Sequence, residues 1–238
     1  MGLHPVRPSP RTRDAALNKM AAVRVSAAEL RAATAALAPA ERAEMAVPSY
    51  AHWNPLIRWL FWQRLDTAVR FAGLAPGVDV LDFGTGSGIL LPSLATVAKR
   101  IVATDIELAP SRATAAARRV AVEFVEASDF LVWAASNHGT LDRIFALDVL
   151  EHVETEELQG LSVAFRSLVR PGGRLIVSGP TETAFYKLGR ALAGFKNEYH
   201  HRNIFDIDRV LTAQWRVTAR AYLPRFPLPR AFVITRYE

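Results

Sequence analysis

The chain has 238 residues, 50% of them hydrophobic and 22% charged, which is typical of one large globular domain with appended segments and excludes a disordered or coiled-coil chain. It contains no cysteine, which excludes disulfides, thiolate metal sites and cysteine nucleophiles, and we expect a cytoplasmic location. The formal charge of +6 comes mainly from scattered arginines near both ends, which is weak evidence for a polyanionic partner.

The first 47 residues are rich in alanine and arginine and carry several prolines. We therefore predict a flexible or lid-like extension over 1–47, followed by the main domain over 48–238. Within the extension, Ser26 and Glu29 have the spacing of a capping box, which predicts a short helix that stops before Pro39.

A long amphipathic helix is predicted next and should end near Gly73. It begins at Asn54-Pro55, where Asn54 suits the N-cap and Pro55 the first helical position. The helix also carries three arginines, Arg58, Arg64 and Arg70. With its aromatic residues and a basic aromatic tail at 222–230, they suggest peripheral contact with an anionic membrane surface as one hypothesis. No apolar run approaches the ~18 residues of a membrane-spanning helix, so no transmembrane segment is predicted.

Short β-rich runs then alternate with helical stretches. Five strands are predicted, at 78–83, 101–105, 122–125, 141–147 and 174–178. This alternation predicts a parallel sheet built from crossover connections. After further helical stretches at 183–193 and 204–213, two terminal strands at 216–222 and 231–237 predict a hairpin with an antiparallel edge strand.

The first strand runs into three alternate glycines, Gly84, Gly86 and Gly88, and carries Asp82 near its end. A dinucleotide fingerprint would place its last glycine at Ile89, so that spacing fails here. An acid followed by alternate glycines suits a ligand that has a cationic amino-acid moiety and no phosphate.

Polar groups follow three other strands. Asp105 ends the second strand, where it can accept hydrogen bonds from both hydroxyls of a ribose. Ser128 and Asp129 follow the third strand and suit an adenine edge. Asp148 and His152 follow the fourth strand and bring a carboxylate and an imidazole to the same sheet edge.

These elements, with a turn at 171–173 before the fifth strand, resemble in order and spacing the class I S-adenosylmethionine-dependent methyltransferases over roughly 54–238. The run Asp-Val-Leu-Glu-His-Val from Asp148 is most similar to the small-molecule branch, which includes quinone-biosynthesis methyltransferases. The resemblance implies an α/β, Rossmann-like fold with strand order 3-2-1-4-5-7-6, in which only the seventh strand is antiparallel. It also implies S-adenosyl-L-methionine as the cofactor.

The resemblance further implies a role for each matching residue. The methionine part of the cofactor would contact Asp82, Gly84, Gly86 and Gly88, the ribose Asp105, the adenine Ser128 or Asp129, and the sulfonium side Leu147 and Asp148. Simpler interpretations stay open: the glycines as turn glycines, Asp82 as a strand-end acceptor, and Asp129 as a helix cap facing solvent.

In-line methyl transfer needs a positioned and deprotonated acceptor, and His152 is our candidate general base. The alternative is that Glu151 and His152 cap the following helix. An apolar pocket for an aromatic or lipid-like hydroxyl is the hypothesis for four positions: Tyr50, Trp53, Tyr186 and His200 or His201. No metal site is predicted, because adjacent histidines on an extended chain point to opposite faces.

Two other functions are weighed against a small-molecule methyltransferase. A methyltransferase acting on base amino groups of nucleic acid would carry Asp/Asn-Pro-Pro-aromatic where this chain has Asp148-Val149-Leu150, so nucleic acid is disfavoured. A non-catalytic module that binds S-adenosylmethionine and docks a partner through the aromatic helix is the remaining alternative.

Overall fold

The structure is a computed structural model that describes residues 20–38, 47–181, 204–224 and 230–238. Several predictions lie outside these residues: the helical stretch at 183–193 and the acceptor residues Tyr186, His200 and His201. Element numbers below refer to the described residues.

Helices and strands alternate along the chain. The helices are α1 (Ala27–Ala33), α2 (Val47–Tyr50), α3 (Pro55–Ala72), α4 (Leu91–Leu94), α5 (Ala109–Arg118), α6 (Phe130–Ala135), α7 (Thr155–Leu168) and α8 (Ile204–Leu211). The strands are β1 (Val78–Phe83), β2 (Ala98–Asp105), β3 (Glu123–Glu126), β4 (Leu141–Leu147), β5 (Val169–Pro180), β6 (Val217–Leu223) and β7 (Phe232–Tyr237). Two short 3-10 turns follow β3 and β4, at Ala127–Asp129 and Leu150–His152.

The strands form one sheet in the order β3-β2-β1-β4-β5-β7-β6, which confirms the Rossmann-like α/β fold that the sequence predicts. Neighbours from β3 to β5 pair in parallel, whereas β7 is antiparallel to both β5 and β6. Because parallel strands end at the same edge, the loops after β1, β2, β3 and β4 meet there, where ligands bind in open α/β sheets.

Helix α3 has the two ends that its sequence predicts. The Asn54 side chain accepts a hydrogen bond from the backbone N–H of Leu56 at 2.9 Å, and Gly73 takes the left-handed conformation after the last turn. Two guanidinium groups, those of Arg143 and Arg174, donate to the carbonyl oxygen of Ala72. Cations at this end also interact favourably with the helix dipole.

The three arginines of α3 that suggest membrane contact make hydrogen bonds or ion pairs within the protein. Arg64 is buried, Arg58 donates to the carbonyl oxygen of His52 at 2.7 Å, and Arg70 donates to the Thr67 hydroxyl at 2.9 Å. Contact with an anionic membrane surface therefore stays a prediction that these arginines do not support. Among the described helices, none is both long enough and apolar enough to cross a membrane.

Residues 20–38 pack against the domain, in contrast to the flexible extension that composition predicts for 1–47. Buried Asp66 of α3 accepts a hydrogen bond from the Ala22 backbone N–H at 2.8 Å and a two-point ion pair from Arg24. The capping box of α1 is present, and Leu30 has no exposed surface. We call residues 20–38 the N-terminal strap.

We predict that Asp66→Ala lowers the free energy of unfolding by about 1–3 kcal/mol, because the buried N–H of Ala22 loses its acceptor. Urea denaturation measures this change. The matched control is Asp206→Ala, which removes a carboxylate paired with the exposed Arg209 and should have a much smaller effect. Equal losses in the two variants would show that Asp66 does not anchor the strap.

Candidate functional site

The loop after β1 turns sharply against the loop after β4. Gly84 and Gly88 have φ angles of 73° and 72°, in the left-handed region that favours glycine. A β-carbon on Gly84 would lie 2.5 Å from Cβ of Val149, and one on Gly88 would lie 3.0 Å from the Ser111 backbone. The loops after β1 and β4 therefore touch only because residue 84 has no side chain.

The backbone N–H groups of this loop are used within the protein. Gly84 and Thr85 donate to the carbonyl oxygen of Thr104 at 2.9 and 3.1 Å, and Gly88 donates to Thr85 at 2.8 Å. Gly86, which also has a positive φ of 52°, donates to a carboxylate oxygen of Asp105 at 2.6 Å. A phosphate-binding loop would instead point such groups at its ligand.

Two carboxyl groups, one buried and one half-buried, flank the glycine loop. Asp82 is 4% exposed, and burial raises its pKa to about 7, against the hydrogen bond that it accepts from the Thr85 hydroxyl at 2.8 Å. Burial also raises the pKa of Asp105, although backbone N–H groups of Gly86 and Ile106 donate to its two oxygens. A cation beside Asp82 would offset this cost and favour the carboxylate.

Ile106 belongs to this site although the sequence analysis did not single it out. Its side chain is 89% exposed at the end of β2, directly after Asp105. An exposed apolar side chain beside Asp105 gives a surface on which a flat ring can pack. The available signal was a bulky apolar residue immediately after the acidic strand end.

Ser128 and Asp129 lie at the same sheet edge, in the turn after β3, and both are exposed. Asp129 is at the N-cap of α6 but makes no capping hydrogen bond with its side chain, so capping does not account for it. It lines an open groove of about 440 Å³ beside Phe124 and Trp133.

The end of β4 is held by an ion pair and two hydrogen bonds. Asp148 has a φ of 54°, in the left-handed region, and its backbone N–H donates to the Ser178 carbonyl oxygen at 3.0 Å. Its carboxylate accepts a hydrogen bond from the Ser178 hydroxyl at 3.1 Å and pairs with Arg64. Leu147 is half-buried before it, and His152 is exposed on the 3-10 turn that follows.

The structure separates the two acceptor residues that it describes. Tyr50 is 5% exposed, packs edge-on against Phe61 and Trp62, and accepts a hydrogen bond from Arg64 at 3.1 Å. It therefore packs against α3, and its role in an acceptor pocket stays a prediction. Trp53 is 79% exposed and presents its ring to solvent.

Comparison with known proteins agrees with this arrangement. The chain matches the family model described as a methyltransferase domain over residues 27–216, and it belongs to this family of methyltransferase domains. The matched range includes α1, within the N-terminal strap.

Curated relatives match about half of the chain. The ubiquinone biosynthesis O-methyltransferase of Aromatoleum aromaticum is 33% identical over 120 residues, which are 48% of this chain and 49% of that protein. The ribosomal protein L11 methyltransferase of Cupriavidus metallidurans is 34% identical over 125 residues, 51% of this chain and 38% of that protein. The chain thus spans about half or less of the length of these relatives.

Solved structures share the fold. The N-methyltransferase NodS of Bradyrhizobium japonicum, in complex with S-adenosyl-L-homocysteine, has a TM-score of 0.62 at 16% identity and covers 88% of this chain and 97% of its own. The magnesium protoporphyrin IX methyltransferase of Synechocystis has a TM-score of 0.56 at 23% identity and covers 77% of this chain and 86% of its own. At these identities the likeness shows the fold alone.

The raised pKa of Asp82 predicts a pH-dependent stability in the ligand-free protein. The Asp82 carboxyl group titrates near pH 4 in the unfolded chain and near pH 7 in the folded chain. Between these pH values folding takes up a proton, so the free energy of unfolding falls as the pH rises through them. Asp82→Asn removes this dependence. Its stability relative to wild type should therefore rise by about 1–3 kcal/mol from about pH 4 to about pH 8.

Urea denaturation at several pH values measures this difference. The control is Asp142→Asn, which replaces a carboxylate at the opposite edge of the sheet, outside the candidate site. A difference between Asp82→Asn and wild type that stays constant with pH would contradict the assigned titration.

Proposed function

We propose that this chain is an S-adenosylmethionine-dependent methyltransferase acting on a small-molecule acceptor. The observation that carries the proposal is the meeting of Asp82, the glycine loop and Asp105 at one sheet edge. Membership of the methyltransferase domain family supports it independently. The predicted cytoplasmic location stays part of this proposal.

The residues present fit this cofactor better than a phosphate-containing one. The loop N–H groups of Gly84, Thr85, Gly86 and Gly88 are hydrogen-bonded within the protein, which leaves no row of donors for a pyrophosphate. Asp82 is a buried carboxyl group that a ligand ammonium would stabilise as the anion. A cationic amino-acid end and a ribose, without phosphate, are what this chemistry accepts.

Each predicted residue takes one part of the cofactor. Asp82 and the glycine loop would hold the amino-acid end, Asp105 the ribose hydroxyls, and Ser128 and Asp129 the adenine edge, against which Ile106 packs. Leu147 and Asp148 would form the wall beside the sulfonium. When bound, S-adenosylmethionine supplies a methyl group that is already activated toward nucleophilic attack.

The work left to the protein is to place the acceptor in line and to remove its proton. His152 is exposed on the turn after β4, at the sheet edge that carries the site and where the acceptor would have to lie. The pKa range of histidine suits proton removal near neutral pH. We therefore assign His152 as the general base.

An apolar surface at the start of α3 supports an aromatic or lipid-like hydroxyl as the acceptor. Trp53, Leu56 and Trp59 are 79%, 65% and 48% exposed. Phe61 lies on the opposite side of the helix from Trp59 and packs on Phe232, which pairs with the last residue of β5, so the first half of α3 lies near the ligand-binding edge. The similarity to a ubiquinone biosynthesis O-methyltransferase points to the same class of acceptor.

We expect calorimetric titration of the wild-type protein to show micromolar binding of both S-adenosylmethionine and S-adenosylhomocysteine. Asp105→Asn should weaken both affinities by about tenfold or more, because a charged acceptor of hydrogen bonds is lost. Asp142→Asn, at the opposite sheet edge, should leave both affinities unchanged.

Failure of the folded wild type to bind either compound would contradict the proposal. Binding without transfer to any small acceptor would favour the non-catalytic module, and transfer only to nucleic acid or protein would favour a macromolecular acceptor.

We expect His152→Ala to lower methyl transfer by about 100-fold while changing the affinity for S-adenosylhomocysteine by less than about twofold. Transfer of a labelled methyl group to a panel of phenols, quinone precursors and lipid-like hydroxyls measures the rate. His138→Ala is the matched control, since His138 is also exposed but lies just before β4, at the opposite sheet edge. Unchanged turnover in His152→Ala would remove this residue from the mechanism.

A further inference from the structure

The buried ion pair between Arg64 and Asp148 carries an inference beyond the assignment of the cofactor. We propose that this pair sets how strongly the site prefers the cationic sulfonium of S-adenosylmethionine over the neutral thioether of S-adenosylhomocysteine. Arg64 is then a positioning residue that acts through the charge of Asp148. The inference rests on the proposed function.

The contacts of Asp148 fix its carboxylate at the edge of the site. Its backbone and side chain both bind Ser178, and its left-handed conformation turns the chain directly after β4. The next residue, Val149, lies against Gly84, so the backbone at Asp148 directly precedes the contact with the glycine loop that would hold the cofactor. One of its oxygens accepts from Ser178, and the other pairs with Arg64.

The contacts of Arg64 hold its guanidinium in one position. The group lies over the rings of Phe61, Phe232 and Tyr50, at 4.7, 4.9 and 5.8 Å from their centroids. It also donates to the Tyr50 hydroxyl at 3.1 Å, and its side chain is only 7% exposed. The Asp148 side chain is 23% exposed, so the carboxylate is the member of the pair nearer to solvent.

Packing alone does not explain an arginine at this position. Replacing a buried ion pair by apolar residues of similar volume is often neutral or stabilising, and the surrounding rings would accept an apolar side chain. Electrostatics gives the pair a role. Arg64 neutralises Asp148, so the wall beside the sulfonium has almost no net charge.

Substitutions of Arg64 and of Asp148 should therefore change the ratio of the two affinities in opposite directions. Arg64→Met leaves an unneutralised carboxylate, which attracts the sulfonium and should raise the preference for S-adenosylmethionine over S-adenosylhomocysteine by about fivefold to tenfold. Asp148→Asn leaves an unneutralised guanidinium and should lower the same preference by a similar factor. The double variant Arg64→Met with Asp148→Asn should return it close to the wild-type value.

The test is calorimetric titration of the full chain with both compounds, with Arg64→Lys as the variant that keeps the positive charge. We expect Arg64→Lys to keep the wild-type ratio of the two affinities. Thermal unfolding of each variant measures any loss of stability separately. Equal weakening of both compounds in Arg64→Met would show a merely structural role and overturn the inference. Absence of binding in wild type would instead overturn the proposed function.

If Arg64→Met does not fold, Asp148→Asn tests the inference alone. It leaves an unpaired positive charge, so it should lower the preference for S-adenosylmethionine over S-adenosylhomocysteine. An unchanged ratio in Asp148→Asn would overturn the inference.

Discussion

The close approach of two loops at the centre of the sheet is the constraint on which the site depends. Strand β1 lies between β2 and β4 and pairs with both in parallel, so the loops that follow these strands share one edge. Gly84 lets its loop touch Val149, and Gly86 turns its N–H to Asp105. Because each contact joins neighbouring strand ends, a side chain at position 84 would clash with Val149 and push the glycine loop away from the loop after β4.

Several arginines of the described residues have structural roles. Arg143 and Arg174 bind the carbonyl end of α3, and Arg170 joins Asp79 to Asp142 at the edge opposite the site. Arg24 ties the N-terminal strap to Asp66. These arginines connect elements that are distant in sequence, and their donors are occupied by carboxylates and carbonyls. These described arginines therefore hold elements of the fold together, and the carboxyl groups at the sheet edge are the charges that bear on a ligand.

Local signals predicted the elements well, and contacts between distant residues account for what was missed. The bounds of β1 and β4 agree with the prediction because both are apolar runs bounded by polar residues, and the ends of α3 agree because Asn54, Pro55 and Gly73 act locally. Strand β5 begins at Val169, earlier than predicted, because Val169 pairs with Leu141 across a register shift and the turn signal at 171–173 hides that pairing. Packing of the strap depends on Asp66, and the burial of Tyr50 depends on Arg64, so neither is visible in local sequence. The meeting of Asp82, the glycines and Asp105 at one sheet edge could be predicted because their spacing follows from the strand ends, whereas their roles toward a ligand stay predictions.

The carboxyl groups of Asp82 and Asp148 differ in their partners, and this difference bears on catalysis. The contacts that the described residues make with buried Asp82 include no cation, so in our proposal a ligand ammonium would complete it. Asp148 already has Arg64 as its partner. Affinity would then come from the amino-acid end and the ribose, which do not change during methyl transfer. A bare carboxylate beside the sulfonium would stabilise the reactant more than a transition state in which the positive charge is disappearing, and so would raise the barrier. Neutralising Asp148 avoids this cost, which gives the buried arginine of α3 a reason to face the end of β4.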